Sequence, residues 1–387
     1  MSDLLVTTHT PILRSGQTAR TYGIARALAA HGDGLTLLYA RFEGDRPDRR
    51  FSAIPGIELV EAVPSRGARR LLSYGAARLR GVPDGFARGI SPELASAAQR
   101  LASAPGRGRV VADGPIAAAA LAGLARRRPV VYNAHNVESA FRHELSDEAA
   151  LGRLRRFERR LLARAAESWM VSERDMAAAA ELCPRARLRY VPNVVDVAAI
   201  APVGSPPAEQ RAVFVANFAY EPNRNGLRFL LDEVFPLVWQ QLPQARLRLV
   251  GGGLGEETAG VDERVEEAGF VDDLRDAYAS ARCAVVPLLQ GGGTPLKFVE
   301  ALAYGVPVLA TPRAAAGLAV HDGVDCLLAE GAQEFAAKLT STLRDGAPDI
   351  GAHGRELALD RYSIEALSRL LASDHPASDL RASDHPA

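Results

Sequence analysis

The sequence predicts an α/β protein made of two tandem Rossmann-like domains with parallel sheets and an interdomain cleft. Three observations carry this. Short apolar runs alternate with helical stretches, and helix-separated strands need right-handed crossovers, which make a sheet parallel. A stretch over 196–210 containing Pro202, Pro206 and Pro207 divides the alternation into two blocks. The blocks also differ in charge: residues 1–195 carry 30 Arg against 19 Asp and Glu, and residues 196–387 carry 16 basic against 27 acidic.

In the first block Leu4–Thr8 reads as a strand, followed by a loop with Gly16 and a helix from about Thr18 to Ala30. Leu35–Tyr39, Ile57–Val60, Val110–Ala112 and Val130–Tyr132 are further strands, with helices such as Ile116–Arg127 between them. The second block supplies strands at Ala212–Val215, Leu247–Val250, Cys283–Leu289 and Val306–Ala310. The boundaries are then 1–195, a linker over 196–211, and 212–353, with ligands expected at the carboxyl ends of the strands. The tail over 372–387 repeats Ala-Ser-Asp-His-Pro-Ala and has no apolar period, so it reads as disordered.

Composition narrows the function classes. The N-terminus runs almost directly into an apolar strand, so no signal peptide is expected, and no apolar stretch has the length of a membrane span. Cys183, Cys283 and Cys326 lie far apart without metal-ligand spacing, which fits a reducing cytoplasm. The eight histidines are scattered too, so no metal is expected. No nucleic-acid partner is expected either. The basic first block either faces an anionic lipid or glycan or attracts the acidic block across the cleft.

The segment 282–318 says most about chemistry. Gly291, Gly292 and Gly293 follow a buried strand and let the backbone turn tightly against a ligand. Thr294 suits a helix N-cap and Pro295 the first helical position, while Gly305 ends the helix. A glycine loop feeding a helix N-terminus presents free N–H groups and a positive dipole end to a phosphate. Lys297 sits in the first turn, with Glu300 three residues later on the same face. Phosphate site, cation and carboxylate suit a nucleotide diphosphate and its ribose. Of 46 basic residues only Lys297 and Lys338 are lysine. Lys297 is therefore either a chance survivor of arginine bias or a compact ammonium placed among phosphate oxygens.

The run from Gly291 to Thr311 resembles the donor-binding signature of the GT-B glycosyltransferases of family 4, also called group 1 glycosyltransferases. Other stretches agree in order and spacing. Ser15-Gly16-Gln17 resembles the family's first glycine loop, and Val130–Glu138 the strand ending in a histidine near the reacting sugar. Val171–Glu173 and Val191–Asp196 are similar to the last strand of the first domain and the hinge. Leu249–Gly253 and Gly269–Asp273, with Gly252 and Val271 as candidate contacts, resemble the segments beside the nucleotide. The resemblance also implies a terminal helix, 354–371, that packs back on the first domain. Many members place two glutamates with seven residues between them. Glu300 matches the second, while Gly292 stands where the first would be, as in a glycine-rich Lys-x-x-Glu subset. Glu300's ribose contact carries over; the usual donor-sugar contact does not.

The resemblance implies transfer of a hexose-type sugar from a UDP- or GDP-linked donor to an acceptor hydroxyl, with retention and no bound metal or cofactor. Such transfer needs the leaving diphosphate stabilised and the acceptor held against the same face of the sugar. The amides of Gly291–Thr294, the helix dipole and Lys297 can supply the first. Asn223 and Arg224, just after a strand, extend the candidate donor contacts, although Arg224 also reads as a solvated turn arginine. His135 either hydrogen-bonds the donor sugar or its β-phosphate or ties its loop down. Acceptor-side candidates are Asp113, Asn136 and Glu138; Asp113 reads as a general base, a cap or a turn former.

Two stretches, 66–80 and 151–166, are basic and amphipathic; each either lies on anionic lipid beside a lipid-linked acceptor or packs its apolar stripe on its own sheet. The competing readings are a nucleotide-sugar epimerase or phosphorylase on the same fold and a non-catalytic nucleotide-binding subunit. No Gly-x-Gly-x-x-Gly follows the first strand, which disfavours a dehydrogenase.

Overall fold

The computed structural model describes residues 1–41, 46–141, 147–204, 207–255, 258, 262–271, 273–291 and 294–373. Its contacts divide the chain into two units, Met1–Asn193 with the chain from Leu367, and Val194–Ala366. The candidate residues Gly292 and Gly293 and the tail from residue 374 lie outside the described residues.

The first unit holds a seven-stranded sheet in the order β3-β2-β1-β4-β5-β6-β7. Its strands are β1 Ser2–Thr7, β2 Leu35–Ala40, β3 Ile57–Ala62, β4 Arg107–Asp113, β5 Val131–Asn133, β6 Glu167–Met170 and β7 Leu188–Tyr190, all paired in parallel. β2 is buried along its whole length, as expected for a strand covered on both faces, which is why it reads as an apolar run interrupted only by Thr36. β6 and β7 carry polar residues within short strands and lack that signal. Val171 follows β6, and Ser172 caps the next helix, so the final strand of this sheet is β7.

The second unit holds six parallel strands in the order β10-β9-β8-β11-β12-β13. They are β8 Arg211–Val215, β9 Arg246–Val250, β10 Val265–Gly269, β11 Cys283–Val286, β12 Val308–Ala310 and β13 Leu327–Leu328. β10 is an edge strand with Glu266 and Glu267 in its middle, so apolar periodicity does not reveal it. In each sheet the chain order reverses at one pair, β1 with β4 and β8 with β11. Ligands bind outside the carboxyl ends of strands at such a switch point.

The stretch read as a linker lies inside the second unit, because its backbone finds a buried partner there. Val203 N–H donates to the Tyr304 carbonyl at 2.8 Å. The expected terminal helix is two helices, Pro348–Arg361 and Ile364–Ala372. The former packs in the second unit, where glycines permit close seating: a Cβ on Gly351 would lie 2.3 Å from the Gly305 carbonyl oxygen. The latter belongs to the first unit from Leu367 onward, and there Arg109 Nη1 donates to the Leu371 carbonyl at 2.8 Å.

Candidate functional site

In the first unit, strand register sets the site. Thr7 pairs with Asp113 across β1 and β4, and Asp113 with Asn133 across β4 and β5, so three polar residues end adjacent buried strands. Asp113 accepts hydrogen bonds from Thr21 Oγ1 at 2.6 Å, Asn133 Nδ2 at 2.7 Å and His135 Nε2 at 2.8 Å. Burial pushes its pKa up, but the charge and hydrogen bond of His135, then His9 and Thr21, outweigh that and hold the carboxyl well below its usual range. An ionised carboxylate only accepts, so the His135 proton facing it sits on Nε2, which leaves Nδ1 as the other polar atom of the ring.

Behind this pair lies Arg20, buried in the helix Gly16–Ala29. Its Nη2 and Nε donate to Asn133 Oδ1 at 2.6 and 3.1 Å, and Nη1 donates to the Val191 carbonyl at 2.9 Å. Burial lowers its pKa to about 10, with Asp113 and Asp175 opposing. Asn133 thus connects a buried cation to the carboxylate that holds His135. Gly114 has φ +83, and a Cβ there would lie 3.1 Å from His135 Cε1, so glycine lets the imidazole lie over the strand end. Asp113 stands at the N-cap position of the helix Gly114–Ala120 without a side-chain capping bond; it is 1% exposed and its carboxylate is engaged by three donors.

The other candidates of this unit stand apart from that network. Asn136 Nδ2 donates to Glu138 Oε1 at 3.3 Å, and Glu138 opens the short helix Glu138–Phe141. Buried Glu158 receives the Ser139 N–H at 3.2 Å, and burial pushes its carboxyl up to about 7. Gly16 is not in a loop; it is the exposed first residue of its helix, behind a capping box between Ser15 and Thr18.

In the second unit the site is a cavity of about 140 Å³ at the carboxyl ends of β8 and β11. Asn223, Gln290, Gly291, Lys297 and Arg313 are among the residues that line it. Lys297 Nζ donates to Asn223 Oδ1 at 2.5 Å and lies 5.1 Å from the centre of the Phe214 ring. Asn223 Nδ2 donates in turn to the Asn217 carbonyl at 2.7 Å, which fixes the side-chain oxygen toward the lysine. Burial lowers the Lys297 ammonium to about 7 while Glu300 opposes. Burial raises the Glu300 carboxyl, and Lys297 opposes that shift.

Local backbone geometry corrects some readings. Pro295, not Thr294, occupies the N-cap of the helix Leu296–Tyr304, with ψ 112 and no side-chain capping bond. Its extended ψ delays the helix by one residue, and Thr294 is buried. Gly305 ends the helix in the left-handed region, and Gly291 has φ +111. Arg224 lies on the helix Glu221–Arg228 rather than in a turn. Gly252 accepts the Phe218 N–H at 2.8 Å, and Val271 packs at the margin of the core. Arg224, Gly252, Val271, Thr294 and Glu300 are not among the residues lining the cavity.

Comparison with known proteins agrees with this architecture. A model described as Glycosyltransferase Family 4 matches residues 14–199, and one described as Glycosyl transferases group 1 matches residues 209–345. The chain belongs to the group 1, family 4 glycosyltransferases. The glycosyltransferase is 30% identical over 143 residues to a phosphatidyl-myo-inositol mannosyltransferase of Mycobacterium leprae. That match spans 34% of this chain and 37% of the relative's length. The structure of Anabaena HepE in complex with UDP and glucose superposes with a TM-score of 0.69 at 18% identity, covering 96% of this chain and 98% of that one. Sucrose-phosphate synthase from Thermosynechococcus elongatus gives 0.72 at 18% identity, with 96% and 97% covered. These structural likenesses establish the GT-B fold. Among the described residues no helix of the glycosyltransferase is long and apolar enough to cross a membrane.

Sequence reasoning missed Arg20, Asn133, His9, Gln290 and Arg313 in this glycosyltransferase. Asn133 had a usable signal, as a polar residue ending an apolar strand. Arg20 and Arg313 are two arginines among many, and only folding distinguishes them.

Proposed function

We propose that this glycosyltransferase moves a hexose-type sugar from a UDP- or GDP-linked donor to an acceptor hydroxyl with retention at the anomeric carbon. The observation that carries the donor assignment is Lys297, held by Asn223 in the wall of a cavity that Gly291 also lines. A diphosphate in that cavity meets an ammonium, a glycine-loop amide and a helix N-terminus, the donors that stabilise charge on a departing phosphate. Glu300 accepts from the ribose hydroxyls. Arg313 adds a second cation, and such a cation set neutralises the diphosphate without a divalent metal.

The first unit contributes His135. With Nε2 engaged by Asp113, His135 has Nδ1 to offer as the atom that hydrogen-bonds the donor sugar or its β-phosphate as the glycosidic bond to phosphate breaks. Asp113 and Arg20 keep the ring from turning. Asn136 and Glu138 border the acceptor. The Mycobacterium leprae relative is named for mannosyl transfer to a phosphatidyl lipid, which is compatible with a hexose donor and a lipid-linked acceptor, and HepE was solved with UDP and glucose, which is compatible with a hexose donor.

Incubation with UDP-, GDP- and TDP-hexoses, with and without EDTA, tests this reading. The expected result is slow nucleotide release from one donor, unchanged by EDTA and lost in Lys297→Ala and Glu300→Ala. Interconversion of sugars at constant nucleotide-sugar concentration would instead indicate epimerisation.

A further inference from the structure

The two basic helices differ in where their apolar residues point. In Glu148–Arg164 the stripe Leu154, Phe157, Leu161 and Leu162 is buried in the core of its own unit. In Ala68–Leu79 the reverse holds: Leu71, Leu72 and Leu79 are 71%, 73% and 91% exposed, and the helix buries only Ala77. At 3.6 residues per turn these leucines share about 100° of the circumference, roughly opposite Ala77. Exposed leucines grouped on one face of a helix mark an interaction surface rather than scattered surface apolarity.

Charge indicates what covers it. Arg66, Arg69, Arg70, Arg78 and Arg80 are exposed, and no Asp or Glu occurs between Glu61 and Asp84. Arg78 pairs with Asp84 at 2.7 Å, while the helix remains strongly cationic. Just past its end, the Gly81 carbonyl accepts from Arg160 Nη2 at 2.5 Å, which ties this segment to the helix Glu148–Arg164. That helix exposes Arg153, Arg155, Arg156, Arg159 and Arg164, and the single acid within its run after Glu148, Glu158, is buried. An outward leucine face flanked by arginines, with more arginines alongside, matches a helix lying at the boundary of headgroups and acyl chains. Nucleic acid would use the arginines but gives the leucines nothing to bury against.

We propose that the helix Ala68–Leu79 docks this protein on an anionic lipid surface, with Leu71, Leu72 and Leu79 entering the acyl boundary. The Glu148–Arg164 helix adds charge and no insertion. Docking is independent of the donor assignment, since it uses no residue of the nucleotide cavity.

The test is flotation of the full chain, without nucleotide, on vesicles of phosphatidylcholine alone or mixed with phosphatidylglycerol. Binding is expected to the mixed vesicles and not to phosphatidylcholine, with each arginine worth roughly fivefold in affinity. Combined Leu71→Glu, Leu72→Glu and Leu79→Glu is expected to weaken binding at least tenfold with an unchanged melting temperature. Arg69→Glu with Arg70→Glu does the same, and Leu71→Trp shows a blue-shifted emission on the mixed vesicles. The proposal is overturned by absent flotation on mixed vesicles, or by flotation that ignores the leucine substitutions. Sedimentation showing a dimer that the leucine substitutions dissociate, or equal leucine-dependent binding to duplex DNA, also overturns it.

Discussion

His135 Nε2 lies 2.8 Å from Asp113 Oδ1, and Asp113 is held in turn by Thr21 and Asn133. The imidazole is therefore fixed in tautomer and in plane by a carboxylate that burial alone would have neutralised. A histidine oriented in this way presents one chosen nitrogen rather than sampling both.

Replacing Asp113 with Asn removes the charge and permits the amide to donate, so the His135 ring loses its fixed tautomer. We expect kcat to fall roughly ten- to a hundredfold, the scale of outer-shell groups that orient histidines. KM for the donor should change little, and the pH–rate profile should shift. A parallel loss in Gly114→Ala, where a Cβ would crowd His135, supports the same geometry. Unchanged kinetics in both variants would remove His135 orientation from the mechanism.

Burial lowers the Lys297 ammonium to about 7. Raising the pH through 7 removes the ammonium, so nucleotide affinity falls between pH 6 and 8.5. Calorimetric titration with UDP and GDP measures it. Lys297→Ala should lose about 1.5–3 kcal/mol of binding, the range for a charge-assisted hydrogen bond, and should flatten the pH dependence.

Glu300 opposes the lowering of the Lys297 pKa. In Glu300→Gln that support is gone, and the lysine deprotonates at lower pH. The loss of nucleotide affinity in this variant should therefore grow from pH 6 to pH 7.5. A loss independent of pH would confine Glu300 to a direct contact.

Glu158 has a folded pKa of about 7 against an ordinary 4.5, so the folded state binds the proton more tightly. Stability is fullest at low pH and declines as pH rises from 4.5 through 7, by on the order of 3 kcal/mol from this group. Thermal unfolding of the wild type should show this decline, and Glu158→Gln should reduce it.

Gly251 has φ +133, and a Cβ there would lie 1.8 Å from the Ala216 carbonyl oxygen. Gly251→Ala must displace the backbone that leads to Asn217 and Asn223. We expect at least about 2 kcal/mol of destabilisation and weakened nucleotide binding, read by chemical denaturation and calorimetry.

The two-block alternation of strands and helices, the glycine loop and the Lys297–Glu300 spacing were all legible in the chain. Each rests on local chemistry: apolar runs that bury on both faces, glycines where φ turns positive, and a helix that ends at Gly305. What the sequence could not reveal depends on register and approach across long separations. Arg20 reaches Asn133 and Val191 only because the first helix crosses the ends of β5 and β7, and Lys297 finds Asn223 only because β8 and β11 are neighbours. The outward face of Ala68–Leu79 is the same kind of fact. Its amphipathic pattern is written in the sequence, but a pattern is symmetric between core and surface, and only packing decides which way the leucines point.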